Sequence, residues 1–212
     1  MEALPRCVER LLAYAGLLAR WNAAFNLVGR ADIHRLVPRH IVDALQLLPL
    51  VRPTRLLDIG SGAGLPGLVL AIAHPGIAVT LLERMARRAR FLELAARELG
   101  LDNVTVVNGD ALRWRAAQGF DTVTARAVAS GDVLGELVAP HLAADGVLVA
   151  QFGARQDDSH IPSGFHVLDR REYMLPDNPA AYRLLVLRCG DGRAHAGADS
   201  SVDAGVDGRA HG

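Results

Sequence analysis

A ten-residue stretch, DIGSGAGLPG (58–67), sets four glycines and a proline between two apolar runs. Glycine reaches positive φ without steric cost and lets another group approach the backbone where a Cβ would otherwise stand. Before the stretch lies Leu56-Leu57. A helix is expected from Leu65, and VTLLE (79–83) follows it, ending in an acid. Strand, glycine turn, helix, strand and acid in that order leave few folds open. The strands are apolar on both faces, the pattern of a parallel sheet covered by crossover helices. In such sheets ligands bind beyond the carboxyl ends of the strands, and the first strand-to-helix turn is the usual contact.

The alternation continues downstream. Residues 85–99 predict a helix with Met85, Ala89, Leu92, Ala96 and Leu99 on one stripe, and VTVVNGD (104–110), FDTVTAR (120–126) and GVLVAQFG (146–153) predict further strands. FHVLDRREY (165–173) and AYRLLVLR (181–188), joined by LPDNPA, read as a closing antiparallel hairpin. Ahead of the sheet, residues 5–20 predict an amphipathic helix. Val8, Leu11, Leu12, Ala15, Leu18 and Ala19 recur at three- and four-residue steps, with Arg10, Tyr14 and Arg20 elsewhere. Helical sequence runs on to about residue 50, interrupted near Val28-Gly29. After Cys189 the chain turns to Gly, Ala, Asp and Ser, with DGRAHAG and DGRAHG as near-copies. Such a tail has little to bury and is expected to be disordered, its His195 and His211 belonging to low-complexity sequence and not to a metal site.

Composition narrows the function. The 212 residues are 50% hydrophobic with zero formal net charge, which suits one globular domain and gives no global basic field. A nucleic-acid partner would have to be held by a local patch. Every basic residue other than histidine is arginine, so Schiff-base and lysine general-base chemistry are excluded. Cys7 and Cys189 stand near opposite ends, which is neither a disulfide framework nor a zinc spacing and fits a reducing compartment. The start, MEALPRCVER, has no signal-peptide pattern, and His74-Pro75-Gly76 breaks the charge-poor stretch 64–82 into helix, turn and strand. No membrane span is expected.

The glycine stretch can be read in two registers. From Gly60 it is Gly-x-Gly-x-Gly, with Gly62 and Gly64, a turn that binds a nucleoside-like methyl donor. From Gly62 it is the dinucleotide pattern GxGxxG. Glu83, at the end of the second strand, is placed to hold ribose hydroxyls in either case. Two details favour the methyl donor. Pro66 lacks an N–H in the first helical turn, where a pyrophosphate seeks donors. Asp58 would set negative charge beside a pyrophosphate but is compatible with a sulfonium. The third strand ends in Asn108-Gly109-Asp110-Ala111-Leu112. Asp110 there either accepts from an adenine amino group or caps the turn that follows.

Taken together, RWNAAFNLVGRAD (20–32), RHIVDAL (39–45), LLDIGSGAGLPGLVLAIAHP (56–75), LLERMARRARFL (81–92) and TARAVAS (124–130) resemble the small-subunit ribosomal RNA guanine methyltransferases of the RsmG (GidB) family. The likeness spans residues 10–188. It implies a Rossmann-like class I fold dependent on S-adenosylmethionine: a mostly parallel seven-stranded α/β sheet with a C-terminal antiparallel hairpin and an N-terminal helical extension. The implied division is an extension over 1–50 packed on the main domain, a methyltransferase domain over 51–188 and a disordered tail over 189–212.

The resemblance also implies methylation of ring nitrogen seven of one guanine in 16S rRNA, within the small ribosomal subunit or its precursor. The enzyme would be a cytoplasmic monomer without a metal. Carried over position by position, Gly60 and Leu65 line the donor turn, Ala111 and Leu112 offer backbone beside the adenine, and Arg126 faces the donor from the end of the fourth strand. That guanine nitrogen has a free lone pair and no proton. No catalytic acid, base or nucleophile is therefore assigned, and positioning is the expected mechanism. Arg87 and Arg88 match the family's basic pair and Arg39-His40 its Arg-His, while Trp21 is expected in the core.

The chain departs from the family at Phe152, where a lysine is usual, and at Asp110 and Leu112, where an arginine and a glutamate are common. An NAD-dependent oxidoreductase and a non-catalytic RNA-binding relative remain the alternatives.

Overall fold

The computed structural model describes residues 3–126, 131–152, 160–176 and 178–190. The tail beyond Gly190, with His195 and His211, lies outside the described residues, as do Gly153 and the last part of TARAVAS. Seven strands form one sheet: β1 (Arg55–Ile59), β2 (Ala78–Glu83), β3 (Val104–Asn108), β4 (Phe120–Ala125), β5 (Leu142–Phe152), β6 (Phe165–Leu175) and β7 (Asn178–Cys189). Their order is β3-β2-β1-β4-β5-β7-β6. The first five run parallel, while β7 is antiparallel to β5 and β6 antiparallel to β7. The closing hairpin therefore enters the sheet through its second strand and leaves β6 at the edge. The chain reverses sheet direction between β1 and β4, the switch point at which open sheets of this kind bind ligands.

Period-two alternation within each strand divides the core. Leu56, Val147, Val149, Leu184 and Val186 face one layer, and Leu57, Leu148, Ala150, Leu185 and Leu187 face the other. The first layer receives α1 (Ala3–Phe25), α3 (Gly67–Ala73) and α4 (Ala86–Glu98), and the second receives α5 (Gly131–Val138). No helix among the described residues is long and apolar enough to cross a membrane.

Helix α1 corrects the stripe expected for it. Val8 and Leu12 are 47% and 56% exposed, whereas Leu11, Leu17, Leu18 and Tyr14 are buried. Tyr14 can occupy the core because its hydroxyl has a partner there, donating to the Ala63 carbonyl at 2.8 Å. Between residues 26 and 50 the regular helix gives way to short 3-10 and π-type turns and the four-residue α2 (Val42–Leu45). Asn26 ends α1 with φ of 47°, and Pro38 and Pro49 lack the N–H that a continuous ladder needs. Trp21 stacks on Phe25 with ring centres 5.4 Å apart and packs on the core, as expected for it.

One buried carboxylate locks the glycine turn to the sheet. Asp58 is 1% exposed. Its Oδ1 accepts from the Thr124 hydroxyl at 2.9 Å, on the residue that is its register partner in β4. Its Oδ2 accepts from the Gly67 N–H at 3.1 Å, at the start of α3. A Cβ on Gly67 would fall 2.8 Å from that oxygen, so the close approach requires glycine. Helix α3 thus starts two residues later than Leu65, and Asp58 serves as an anchor within the fold.

Burial pushes the Asp58 carboxyl up to about 6, offset in part by its bonds from Thr124 and Gly67. A raised carboxyl pKa means the folded state binds the proton more tightly, so this group's contribution is largest at low pH and declines as pH rises through 6. From its ordinary value of 3.8 to about 6, that decline amounts to roughly 3 kcal/mol. In urea titrations, the stability of the unaltered chain relative to Asp58→Asn is expected to fall between pH 4 and 6.5. Asp58→Ala, which strands two buried donors, is expected to lose about 2–4 kcal/mol at pH 4 and less as pH rises.

Candidate functional site

At the carboxyl ends of β1, β2 and β4 the chain encloses a cavity of about 510 Å³. That size suits one small organic ligand, for which pockets run from about 300 to 1,000 Å³. Its floor is the glycine turn. Gly60, Gly62 and Gly64 have φ of 67°, 57° and 91°, a run of left-handed residues that side chains would oppose. The Gly60 and Ser61 N–H groups donate to the Leu82 carbonyl at 2.8 and 3.2 Å, fastening the turn to β2. From the other side the Tyr14 hydroxyl holds the Ala63 carbonyl. Burial pushes the Tyr14 hydroxyl well above its ordinary range, so it stays protonated and donating.

Gly60, Gly62 and Leu65 line the cavity, together with Glu83, Asp110, Ala111, Leu112 and Arg126. Gly64 lies behind the lining, its N–H donating to the Ser61 carbonyl at 2.7 Å and its α-carbon facing the Leu68 side chain. The sequence motifs therefore converge on one place although they span the chain from residue 60 to residue 126.

Glu83 is 3% exposed and held at both oxygens. Oε2 accepts from the Gly62 N–H at 2.9 Å and Oε1 from the Met85 N–H at 2.8 Å. Each oxygen keeps a second lone pair for a hydroxyl. Asp110 resolves toward the turn-capping role: its Oδ1 accepts from the Leu112 N–H at 2.8 Å. That bond occupies the Leu112 N–H. Asp110 itself lines the cavity.

The turn after β3 is carried by a residue the sequence did not single out. His141 is 2% exposed, stacks on Trp114 with ring centres 5.7 Å apart, and places Nε2 2.9 Å from the Ala111 carbonyl. A carbonyl only accepts, so Nε2 carries the proton and donates. Burial holds the ring's pKa below its ordinary value, against the bond to Ala111.

Arg126 reaches the cavity from the end of β4, and its Nη1 lies 3.4 Å from Asp43 Oδ2. Asp43 stands within RHIVDAL, a motif that gave no role to its acid. Leu27 and Val28 close another wall, set by the Val28 N–H donating to the Asn22 side chain at 2.7 Å.

At the mouth are Arg84, Met85 and Arg88, with Arg87 exposed beside them on α4. Arg39 pairs with Asp32 at 3.2 Å, and half-buried His40 lies 3.7 Å from the same acid. Phe152 is 4% exposed and belongs to the second core layer. No cluster of three or more His, Cys, Asp or Glu suited to a metal occurs among the described residues.

Comparison with known proteins agrees with this geometry. The family model described as GidB, rRNA small subunit methyltransferase G, matches residues 7–161. The Ribosomal RNA small subunit methyltransferase G of Chromohalobacter salexigens is 40% identical over 182 residues, covering 85% of this chain and 87% of that one. The protein of the same name from Klebsiella pneumoniae is 38% identical over 185 residues, with coverage of 85% and 88%. Among solved structures, an MtNAS variant in complex with S-adenosylmethionine superposes with a TM-score of 0.57 at 18% identity, covering 85% of this chain and 72% of that one, a likeness of fold.

His141→Phe keeps the stack on Trp114 and removes the donor to Ala111. At pH 8 it is expected to cost about 1 kcal/mol in chemical denaturation. Because the fold favours neutral His141, the unaltered chain loses this advantage as pH falls below 6.5, and the gap to His141→Phe is expected to narrow.

Proposed function

The chain belongs to the rRNA small subunit methyltransferase G family and is an S-adenosylmethionine-dependent methyltransferase, and from that premise we propose that its cavity binds this donor and directs the methyl group to ring nitrogen seven of one guanine of 16S rRNA. The observation that carries the choice of ligand is the Asp58–Gly67 bond. A dinucleotide lays its pyrophosphate on free N–H groups at the first helix N-terminus. Here the Gly67 N–H already donates to a buried carboxylate, Pro66 has none, and the Leu68 N–H donates to Gly64. A pyrophosphate would meet an acid where it needs donors. A ligand without phosphates loses nothing.

Gly60, Gly62 and Leu65 support the methionine end of the donor, with Gly64 shaping the turn behind them. Glu83 accepts from the ribose hydroxyls through its spare lone pairs. Asp110 Oδ2, with Ala111 and Leu112, flanks the adenine, and Arg126 binds at the side nearest β4. The donor supplies a methyl on a positively charged sulfur. The guanine nitrogen attacks that carbon with its own lone pair as the sulfur–carbon bond breaks, leaving a neutral thioether and a cationic methylated base. No proton leaves the nitrogen, so the chain supplies alignment and exclusion of water but no base. Arg84, Arg87 and Arg88 contact RNA phosphates around the mouth, a local basic patch on a chain without net charge. The substrate is the small subunit or its precursor in the cytoplasm, and the protein acts as a monomer.

Calorimetric titration is expected to show S-adenosylhomocysteine binding and no binding of NADH, with Arg126→Gln weakening the former at least tenfold. Small subunits from cells lacking the family's enzyme are expected to gain one methyl on a 16S guanine, located by mass spectrometry of nuclease fragments. Binding of NADH alone, or a methyl on another atom, would overturn the assignment. Arg87→Glu is expected to raise KM for subunits several-fold at low salt and leave donor affinity unchanged.

A further inference from the structure

A donor carrying a positive sulfur is a poor match for a cavity wall that includes a guanidinium, because like charges repel strongly where water is scarce. Arg126 is such a group, with its side chain 24% exposed. The compensation comes from Asp43, which lies outside the cavity lining. Its Oδ2 faces Arg126 Nη1 at 3.4 Å, and its Oδ1 accepts from the Tyr173 hydroxyl at 2.6 Å. The Tyr173 oxygen in turn accepts from Gln151 Nε2 at 2.6 Å. The chain of bonds joins α2, the end of β4, β5 and β6. Glu83 and Asp110, the acids that line the cavity, accept from backbone N–H groups of the turns, and Arg126 pairs with Asp43 and with neither of them.

Resting on the reading of Arg126 as a donor contact, we propose that Asp43 is a positioning residue that fixes the Arg126 guanidinium and cancels its charge, so that the cavity accepts the sulfonium donor as readily as the neutral thioether product. Tyr173 and Gln151 hold Asp43 in place. Arg126 retains the N–H donors not turned to Asp43 for the ligand. Without Asp43 the same arginine would favour the product over the donor and slow turnover by retaining it. The N-terminal segment that supplies Asp43 is then part of the donor site.

The charge of the ligand separates this role from a structural one. Titrations of the full chain with S-adenosylmethionine and with S-adenosylhomocysteine compare the unaltered protein with Asp43→Asn, Tyr173→Phe and Arg126→Gln. Asp43→Asn is expected to weaken the sulfonium about five- to tenfold while changing the thioether less than about twofold. Tyr173→Phe, which keeps the charges, is expected to weaken both alike, and Arg126→Gln to shift the ratio toward the sulfonium. The double variant Asp43→Asn with Arg126→Gln restores neutrality and is expected to return the ratio to its starting value, which keeps the test decisive where the single variant folds poorly. Equal weakening of both ligands by Asp43→Asn, or no change in either, overturns the proposal. If Arg126→Gln leaves both affinities untouched, the donor contact itself fails, a result distinct from failure of Asp43 alone.

Discussion

The site depends on one carboxylate that no ligand touches. Asp58 projects from β1, and its carboxylate accepts from Thr124 of β4 and from the Gly67 N–H at the start of α3. Without it, the glycine turn would be joined to the helix by a buried N–H with no partner, the kind of defect that costs more than the bond itself is worth. Burial makes the ionised form costly, which is why its pKa rises, and the two donors are what make that cost bearable. The same bond supports the proposed ligand class. By capping the helix internally, the chain gives up the anion site that its fold would otherwise offer, and a phosphate-bridged ligand loses its natural seat.

Much of this was legible in the sequence, and the boundary of legibility is physical. Apolar strands, glycine spacing and the acid that ends VTLLE all act over short range, and each lies where periodicity and turn chemistry place it. Pairings over long range left no such trace. Thr124 lies 66 residues from Asp58, Asp43 lies 83 from Arg126, and His141 lies 30 from the Ala111 carbonyl that it holds. Tyr14 is the instructive miss. A phenol on an otherwise ambiguous stripe was assigned to the polar side, yet the chain buries it because the Ala63 carbonyl waits there. The helix pattern supplies a period; which phase faces inward is decided by the partner across the gap.

The turn after β3 shows how one acid can serve two readings. Asp110 Oδ1 caps the turn, and the residue also lines the cavity. The cap consumes the Leu112 N–H, so the proposed adenine contact falls to Asp110 itself, to Ala111 and to apolar contact. Ala111 is held from behind by His141 and Arg115, at 2.9 and 3.0 Å. A backbone fixed in this way needs little reordering when a flat ring arrives, which lowers the entropic cost of binding.

The N-terminal segment reaches the cavity at three separate points. Tyr14 holds the turn, Leu27 and Val28 form a wall, and Asp43 balances Arg126. An appendage that only gathered RNA would have no reason to bury a hydroxyl and a carboxylate against the sheet, since both lose hydration in doing so. Those groups are buried because each meets a partner that the parallel sheet leaves exposed: a turn carbonyl at one place, a guanidinium at the other. The first fifty residues and the sheet therefore complete a single electrostatic arrangement. In that arrangement the Arg126 guanidinium faces the Asp43 carboxylate, and Glu83 and Asp110 accept from backbone N–H groups.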